Sequence, residues 1–441
     1  MEPNHELLQQ NRAHDRRLFL QAGLVSAGGA AMASRSLAAA EPAKASPNNV
    51  IRVGIMGVNG RGRALAKGFS ANKGAEVAMI CDVDTRALEK CSKMLVDAGH
   101  PAPEQTDDVR RILDDPSIDA LVVATPNHWH APATILGCSA GKHVYVEKPC
   151  SYTPQEGEWA VEAAEKNKRI VQMGSQRRSW PGIQEAIQLI HDGEIGKVHY
   201  VRNWYNNRRA SIGYGKNTDV PSWLNWDRWQ GPAPRRDFSD NLVHYNWHWH
   251  WHWGNGELGN NGIHALDVAR WGAEVEFPNR VTAGGGKYRH DDDQETPDTM
   301  MVTYDFPEGK TLTWEGLSWS PLGPHDSRFG LSFHGTEGSI VIRDGGYTRY
   351  DMMSKKIGEG NGPGGDTTHV EDFLDSIRNN RPSNANIVEA HRSTLLCHLG
   401  NIAYRTNSVL AIDPSNGHIQ DNPAAAAMWT REYESGWEPK V

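Results

Sequence analysis

The chain has 441 residues, 23% of them charged, with a formal charge of −8. That length exceeds one ordinary core, so two domains are expected, and without a basic stripe no nucleic-acid partner is expected. The 16 Trp and 44 Gly are high counts and suit loops that stack on sugar faces.

The first residues read as an address. Asp15-Arg16-Arg17-Leu18-Phe19-Leu20-Gln21 resembles the twin-arginine export motif, and a mild apolar run, Ala22 to Ala33, leads to Ala38-Ala39-Ala40 before Glu41. Residues 1–40 are expected to be a signal peptide read by the twin-arginine export machinery, and 41–49 a linker. The run is too short and weakly apolar to span a bilayer, so no stable membrane insertion is expected. A periplasmic or extracytoplasmic location follows. Folding before export would leave the five scattered cysteines reduced, and their spacing fits no metal site.

Val53-Gly54-Ile55-Met56-Gly57-Val58-Asn59-Gly60-Arg61-Gly62 then joins an apolar strand to a helix-favouring run. Gly57 and Gly62 take the first and third places of a dinucleotide fingerprint; Asn59 takes the second, beside Gly60. A helix N-terminus there offers N–H groups and partial positive charge to a pyrophosphate. A second strand, Ala75 to Asp84, carries Asp82, 20 residues after Gly62. A carboxylate there accepts from ribose hydroxyls and repels a 2′-phosphate, favouring NAD. Arg61 and Arg63 keep NADP from being excluded.

Helix Thr85–Ala98, strand Ser117–Ala124, helix Ala131–Ala140, strand His143–Val146, helix Pro154–Lys168 and strand Arg169–Met173 follow. Their continuous apolar strands predict a parallel sheet covered on both faces, a Rossmann domain over 50–173. Asp82, Asn127 and Lys148 all fall at strand carboxyl ends, where such sheets bind ligands.

The glycine loop, Thr125-Pro126-Asn127-His128 and Glu147-Lys148-Pro149, in this order and spacing, resemble the Gfo/Idh/MocA family of sugar oxidoreductases, and the resemblance runs over nearly all of 50–441. It implies that Lys148 lies by the nicotinamide and the reacting hydroxyl, as a catalytic residue that polarises or deprotonates an alcohol. It also implies that Thr125, Pro126, Asn127, His130 and Glu147 line the cofactor together with Gly57, Asn59, Gly60, Arg61, Gly62 and Asp82, and that Pro149 follows a cis bond.

Residues 174–441 are expected to form an α+β domain with a large open, mostly antiparallel sheet. Helix Gly182–His191 precedes strand Val198–Tyr205, and Asn206 to Gly256 is a long Trp-rich insertion of the kind that is usually functional. Strands Val281–Gly285, Thr299–Phe306, Thr311–Gly316, Phe329–Gly335 and Ser339–Arg343 are joined by tight turns. The resemblance implies that this sheet makes a homo-oligomer, a dimer or tetramer. Helices Thr368–Asn379 and Ile387–Arg405 follow. In the tail, Trp429, Tyr433 and Trp437 fall at i, i+4, i+8, one helical face packed on the body.

Asn260, His264 and Asp267 stand at i, i+4, i+7 and would share a helical face. This segment is similar to the family's catalytic helix, and the resemblance makes His264 an acid/base on the substrate hydroxyl. The place of Asn260 is often Asp in inositol-type members; an amide cannot charge-tune the imidazole, so Asp267 is expected to serve instead. Gln176, Arg177, Asn260, Asp267 and Trp129 are expected at the substrate. His244 to Trp253 alternates His and Trp. Read as a strand, it would set His248, His250 and His252 on one face, either lining a sugar pocket or holding a metal; the sugar reading is preferred and no metal is assigned.

Outside the cytoplasm free NAD is not expected, so the cofactor must stay bound and be regenerated in each cycle. Three readings follow. The first is an exported oxidoreductase acting on a sugar, polyol or glycoside. The second is a redox-neutral glycosidase working by oxidation, elimination, hydration and reduction, which needs no carboxylate pair. The third is a non-catalytic carbohydrate- or metal-binding protein.

Overall fold

The computed structural model describes residues 50–441; the expected signal peptide and linker lie outside the described residues. The chain first alternates strand and helix: β1 (Ile51–Met56), α1 (Arg61–Ser70), β2 (Ala75–Cys81), α2 (Thr85–Asp97), β3 (Glu104–Thr106), α3 (Arg110–Asp114), β4 (Ala120–Val123), α4 (His130–Ser139), β5 (His143–Val146), α5 (Pro154–Lys166) and β6 (Val171–Met173). The six strands pair in parallel in the order β3-β2-β1-β4-β5-β6. Helices cover both faces, so Val53, Ile55, Leu121 and Val122 are wholly buried, and the apolar runs are continuous for that reason. The strand order reverses between β1 and β4, which opens a crevice beyond their carboxyl ends.

The second part contains α6 (Pro181–His191), β7 (Val198–Asn206), α7 (Trp226–Gln230), α8 (Ile263–Ala273), β8 (Arg280–Gly286), β9 (Thr299–Phe306), β10 (Lys310–Leu317), β11 (Phe329–Gly335), β12 (Gly338–Arg343), β13 (Gly346–Asp351), β14 (Lys356–Asn361), α9 (Thr367–Asn379), α10 (Ile387–Thr406), β15 (Leu410–Ile412), β16 (Ile419–Gln420) and α11 (Pro423–Ala426). Ten strands form one sheet, β14-β13-β12-β11-β7-β10-β9-β8-β15-β16. All neighbours run antiparallel except β7 and β10, which are parallel. Alternate residues such as Met300, Val302, Tyr304, Leu312 and Trp314 are buried on the inner face, while Tyr200 and Met301 are exposed on the outer one. α10 packs against α5, α8 and β8 and so joins the two parts. It starts at Asn386, whose side chain accepts from the Glu389 N–H, and stops at Asn407 in the left-handed region.

Three elements depart from the sequence reading. α9 lies beyond the expected boundary at 174, yet Val370, Phe373 and Leu374 join the core of the first sheet; Phe373 meets Phe69 edge-on at 6.1 Å and Tyr145 at 5.8 Å. The expected tail helix is absent. After α11 and one 3-10 turn, Ala427–Trp429, the chain is irregular, because each aromatic side chain finds its own partner on the body. The Trp-rich insertion builds a small core of its own, with Leu224, Trp226, Trp229, Phe238, Leu242, Trp247 and Trp253 buried together. Most of its indoles are therefore packing rather than presented to a ligand. The five cysteines are buried free thiols.

Candidate active site

The loop from β1 to α1 needs glycine at two places. Gly57 has φ +82°, and an added Cβ would lie 2.7 Å from the Ala124 carbonyl oxygen; one at Gly62 would lie 1.6 Å from the Gly57 carbonyl oxygen. These are the tight turn and the close helix–strand contact. An added Cβ at Gly60 would meet nothing within 4 Å, and no side chain caps α1. The free N–H groups of its first turn face a cavity of about 1190 Å³, lined by Gly57, Asn59, Gly60, Arg61, Asp82, Thr125, Pro126, Asn127, Trp129, His130, Glu147, Lys148, Gln176, Asn260 and His264, among others. Sequence residues far apart thus converge at one crevice. Gly62 supports the turn from behind and does not line it.

Asp82 closes β2. Its Oδ2 accepts from the Val58 N–H at 2.6 Å and its Oδ1 from the Asp84 N–H at 2.9 Å. Burial raises its pKa, and the two N–H groups offset this only in part. The carboxylate is pinned at the cavity wall with lone pairs to spare. Arg61 is engaged elsewhere: its Nε donates to Glu147 at 2.6 Å, and Nη1 and Nη2 each donate to Asp366 at 2.7 Å. Arg63 does not line the cavity. Arg61 is thus held by two carboxylates, and Asp82 is placed to disfavour a 2′-phosphate. NAD is expected to bind at least tenfold more tightly than NADP, and Asp82→Ala to narrow that ratio, as titrations of protein fluorescence would show. Equal affinity of the unaltered protein for both would overturn this assignment.

Thr125 Oγ1 is buried at the cavity with no partner in the protein, as a group awaiting a ligand would be. His130 ties the two cofactor loops together, its ring nitrogens lying 2.6 Å from the Pro149 carbonyl and 2.8 Å from that of Thr125. The Lys148–Pro149 bond is cis, as expected.

At the other end Lys148 Nζ donates to Asn260 twice, to its carbonyl at 2.7 Å and its Oδ1 at 3.0 Å. Asn260 lies in a π turn, Leu258–Gly262, that precedes α8. Its side-chain amide reaches Glu257 at 3.4 Å, and Arg209 holds that carboxylate with Nε at 2.6 Å. Burial lowers the Lys148 pKa; Glu147 and Glu257 oppose this, and Arg61 and Arg209 add to it. His264 is depressed well below the usual imidazole range, first by burial and then by the ammonium of Lys148 and the guanidinium groups of Arg177 and Arg61. It is neutral at physiological pH, and its Nδ1 is buried without a partner.

Asp267 does not orient His264, contrary to expectation. It is buried about one turn further along α8, where Arg178 Nη2 donates to it at 2.8 Å and Ser393 Oγ at 2.7 Å. The π turn shifts Asn260 relative to His264 and Asp267, which keep α-helical spacing within α8. Arg177 also lies off the cavity: it donates to the Asp344 carbonyl at 2.9 Å and stacks on Phe329. Trp129 lines the cavity, but its Nε1 donates to the Trp229 carbonyl at 3.0 Å and its ring packs against Trp437, so it is a wall rather than a free sugar platform. Asn246–Trp249 is a 3-10 turn, not a strand, and the three histidines part company. His248 stacks on Trp247 at 3.6 Å, His250 faces Glu295 at 3.7 Å, and His252 contacts the Pro234 carbonyl at 2.9 Å. Sequence reasoning missed Glu257 and Arg209, which act on the site through Asn260, and the tail residues 436–440, which line the cavity. A carboxylate three residues before Asn260 was the only sequence sign of the first.

Residues 51–175 match the Gfo/Idh/MocA profile described as an oxidoreductase family with an NAD-binding Rossmann fold, and residues 203–439 match the profile of its C-terminal alpha/beta domain. A glycosyl hydrolase family 109 protein of Saccharopolyspora erythraea is 30% identical over 181 residues, 40% of this chain and 39% of that protein. A levoglucosan dehydrogenase of Pseudarthrobacter phenanthrenivorans is 30% identical over 271 residues, 56% of this chain and 60% of its own. The chain thus spans about two fifths of the length of the family 109 relatives, at 39%. A solved levoglucosan dehydrogenase in complex with NADH shares the fold at TM-score 0.65 and 19% identity, covering 82% of this chain and 99% of that one. An aldose–aldose oxidoreductase from Caulobacter crescentus complexed with glycerol does so at TM-score 0.64 and 20% identity, covering 82% and 100%.

Proposed function

We propose, on the premise that this chain belongs to the Gfo/Idh/MocA oxidoreductase family, that it transfers hydride between a resident NAD and a hydroxyl-bearing carbon of a sugar, polyol or glycoside. The observation that carries this reading is the placing of Lys148 and His264 in one cavity with the glycine loop and Asp82. The first turn of α1, Gly60, Asp82 and Thr125 would hold the dinucleotide, which supplies the two-electron acceptor and donor.

The residues themselves handle the proton. A neutral amine has two N–H bonds and one lone pair. Both N–H bonds of Lys148 are satisfied by the two oxygens of Asn260, so the lone pair is left for an incoming hydroxyl. Burial favours that neutral form. In that form Lys148 takes the hydroxyl proton, and the neutral imidazole of His264 polarises the same oxygen or handles a second proton.

A second reading, redox-neutral glycoside hydrolysis, is favoured by the family 109 relatives. It needs one group to remove a C–H proton and another to serve the leaving oxygen, and this cavity supplies two. Incubating the protein with a panel of glycosides separates the readings: net NADH accumulation indicates oxidation, and released sugar without NADH indicates hydrolysis. Tight sugar binding with neither product would leave a binding protein.

Export and assembly extend the proposal. The twin-arginine motif supports a periplasmic or extracytoplasmic place for the enzyme, and the outer face of the ten-stranded sheet, with Tyr200 and Met301 exposed, supports homo-oligomers. Replacing Arg16 and Arg17 by Lys is expected to leave full-length precursor in the cytoplasm, read by fractionation and mass. Efficient export of that variant would contradict the address.

A further inference from the structure

We propose that residues 431–440 form a strap that closes the dinucleotide cavity and slows the exchange of bound NAD. The segment is fastened at both ends to one short loop, the turn after β4 that carries Asn127 into the cavity. At its start Arg431 donates to the His128 carbonyl at 2.7 Å and, through Nε, to Glu156 at 2.7 Å. That ion pair is buried, with side-chain exposures of 9% for Arg431 and 0% for Glu156, and Tyr433 donates to the same carboxylate at 3.0 Å. Near its end the Trp437 ring meets Trp129 edge-on at 5.0 Å. Between these points the Glu434 N–H donates to the Pro232 carbonyl at 3.0 Å, which ties the strap to the Trp-rich insertion.

The strap is part of the cavity wall: Gly436, Trp437 and Lys440 line it together with Pro132, Ile135 and Leu136 of α4. Sheet, helix and loops anchored by the buried Val109 and Trp247 surround the rest of the dinucleotide crevice. The strap is irregular chain held by partly buried side chains, and such segments open at lower free-energy cost than strands or helices. Its opening is therefore the step that controls entry and exit. A retained cofactor is what both readings of the chemistry require if the enzyme works where NAD is scarce. The inference rests on the cofactor site described above.

The test loads the full protein with NADH and follows its displacement by excess NAD⁺ through nicotinamide fluorescence. Trp437→Ala and removal of residues 436–441 are expected to speed release about tenfold or more, since the edge-on aromatic contact and its buried area are lost. Trp437→Phe keeps a ring against Trp129 and is expected to stay near the unaltered rate. Thermal melts confirm that the variants remain folded. Slow release that persists in both disruptive variants would overturn the strap while leaving the cofactor site intact. Failure of the unaltered protein to bind NADH would overturn the cofactor site, and the strap with it.

Discussion

Lys148→Ala and His264→Ala each lose roughly 10²-fold or more of turnover while keeping NAD affinity, the usual worth of a positioned proton-transfer group. The geometry separates the two effects. Lys148 is held by Asn260 at 2.7 and 3.0 Å, and neither residue supports the glycine loop. Removing the amine leaves the cofactor wall standing and deletes only the group proposed to take the hydroxyl proton. The double variant loses less than the product of the single losses, because both residues serve one reacting oxygen. Turnover rises with pH as Lys148 loses its proton, and since burial lowers that pKa the rise falls below the ordinary lysine range. Asn260→Asp sets a carboxylate beside the ammonium, favours the charged form and moves the rise to higher pH. Steady-state kinetics across pH for the four variants, with NAD binding measured in parallel, checks each point. Full turnover in either alanine variant would end the assignment.

Asp267→Ala has the largest expected effect on stability. Arg178 grips Asp267 with Nε at 3.0 and 2.9 Å and Nη2 at 2.8 Å, and the side-chain exposures are 6% and 1%. Removing the carboxylate leaves the buried guanidinium only Glu389, at 3.6 Å, and costs about 3 kcal/mol. Burial alone would raise the Asp267 pKa, but the Arg178 guanidinium outweighs it, and the folded value lies below the ordinary one. The pair therefore contributes fully above the ordinary carboxylate pKa, and that stability is lost as pH falls through the depressed folded value. Urea unfolding at neutral and acid pH is expected to show the unaltered protein approaching the Asp267→Ala variant only under acid. Normal stability with lost turnover in this variant would instead restore Asp267 to the orientation of His264.

The dinucleotide end was legible because its constraints are local. Gly57 and Gly62 are forced by backbone contacts, and Asp82 and Lys148 by their places at strand ends. Asn260 and His264 were legible as neighbours of one cavity. The role of Asp267 was not: no spacing rule shows that a buried cation waits for it in Arg178. The aromatic period of Trp429, Tyr433 and Trp437 misled for a related reason. Tyr433 and Trp429 bond separately to Glu156 and Glu158, while Trp437 meets Trp129, and that scatter of partners is satisfied by irregular chain. The return of α9 to the first core is a long-range contact, and an amphipathic helix does not name the sheet it will cover.

In the proposed reaction the carbon bearing a sugar hydroxyl gives its hydride to the cofactor, and the hydroxyl gives its proton to the protein, in the cavity shared by Lys148 and His264. A single-turnover experiment tests it most directly. The purified protein, loaded with stoichiometric NAD⁺ and checked by native mass spectrometry, is mixed with a panel of sugars, polyols and glycosides while NADH absorbance is followed. At least one compound is expected to give a rapid rise in the unaltered protein, transient if the cycle is redox-neutral, with no rise in Lys148→Ala. Tight sugar binding with no NADH signal from any compound would contradict the account.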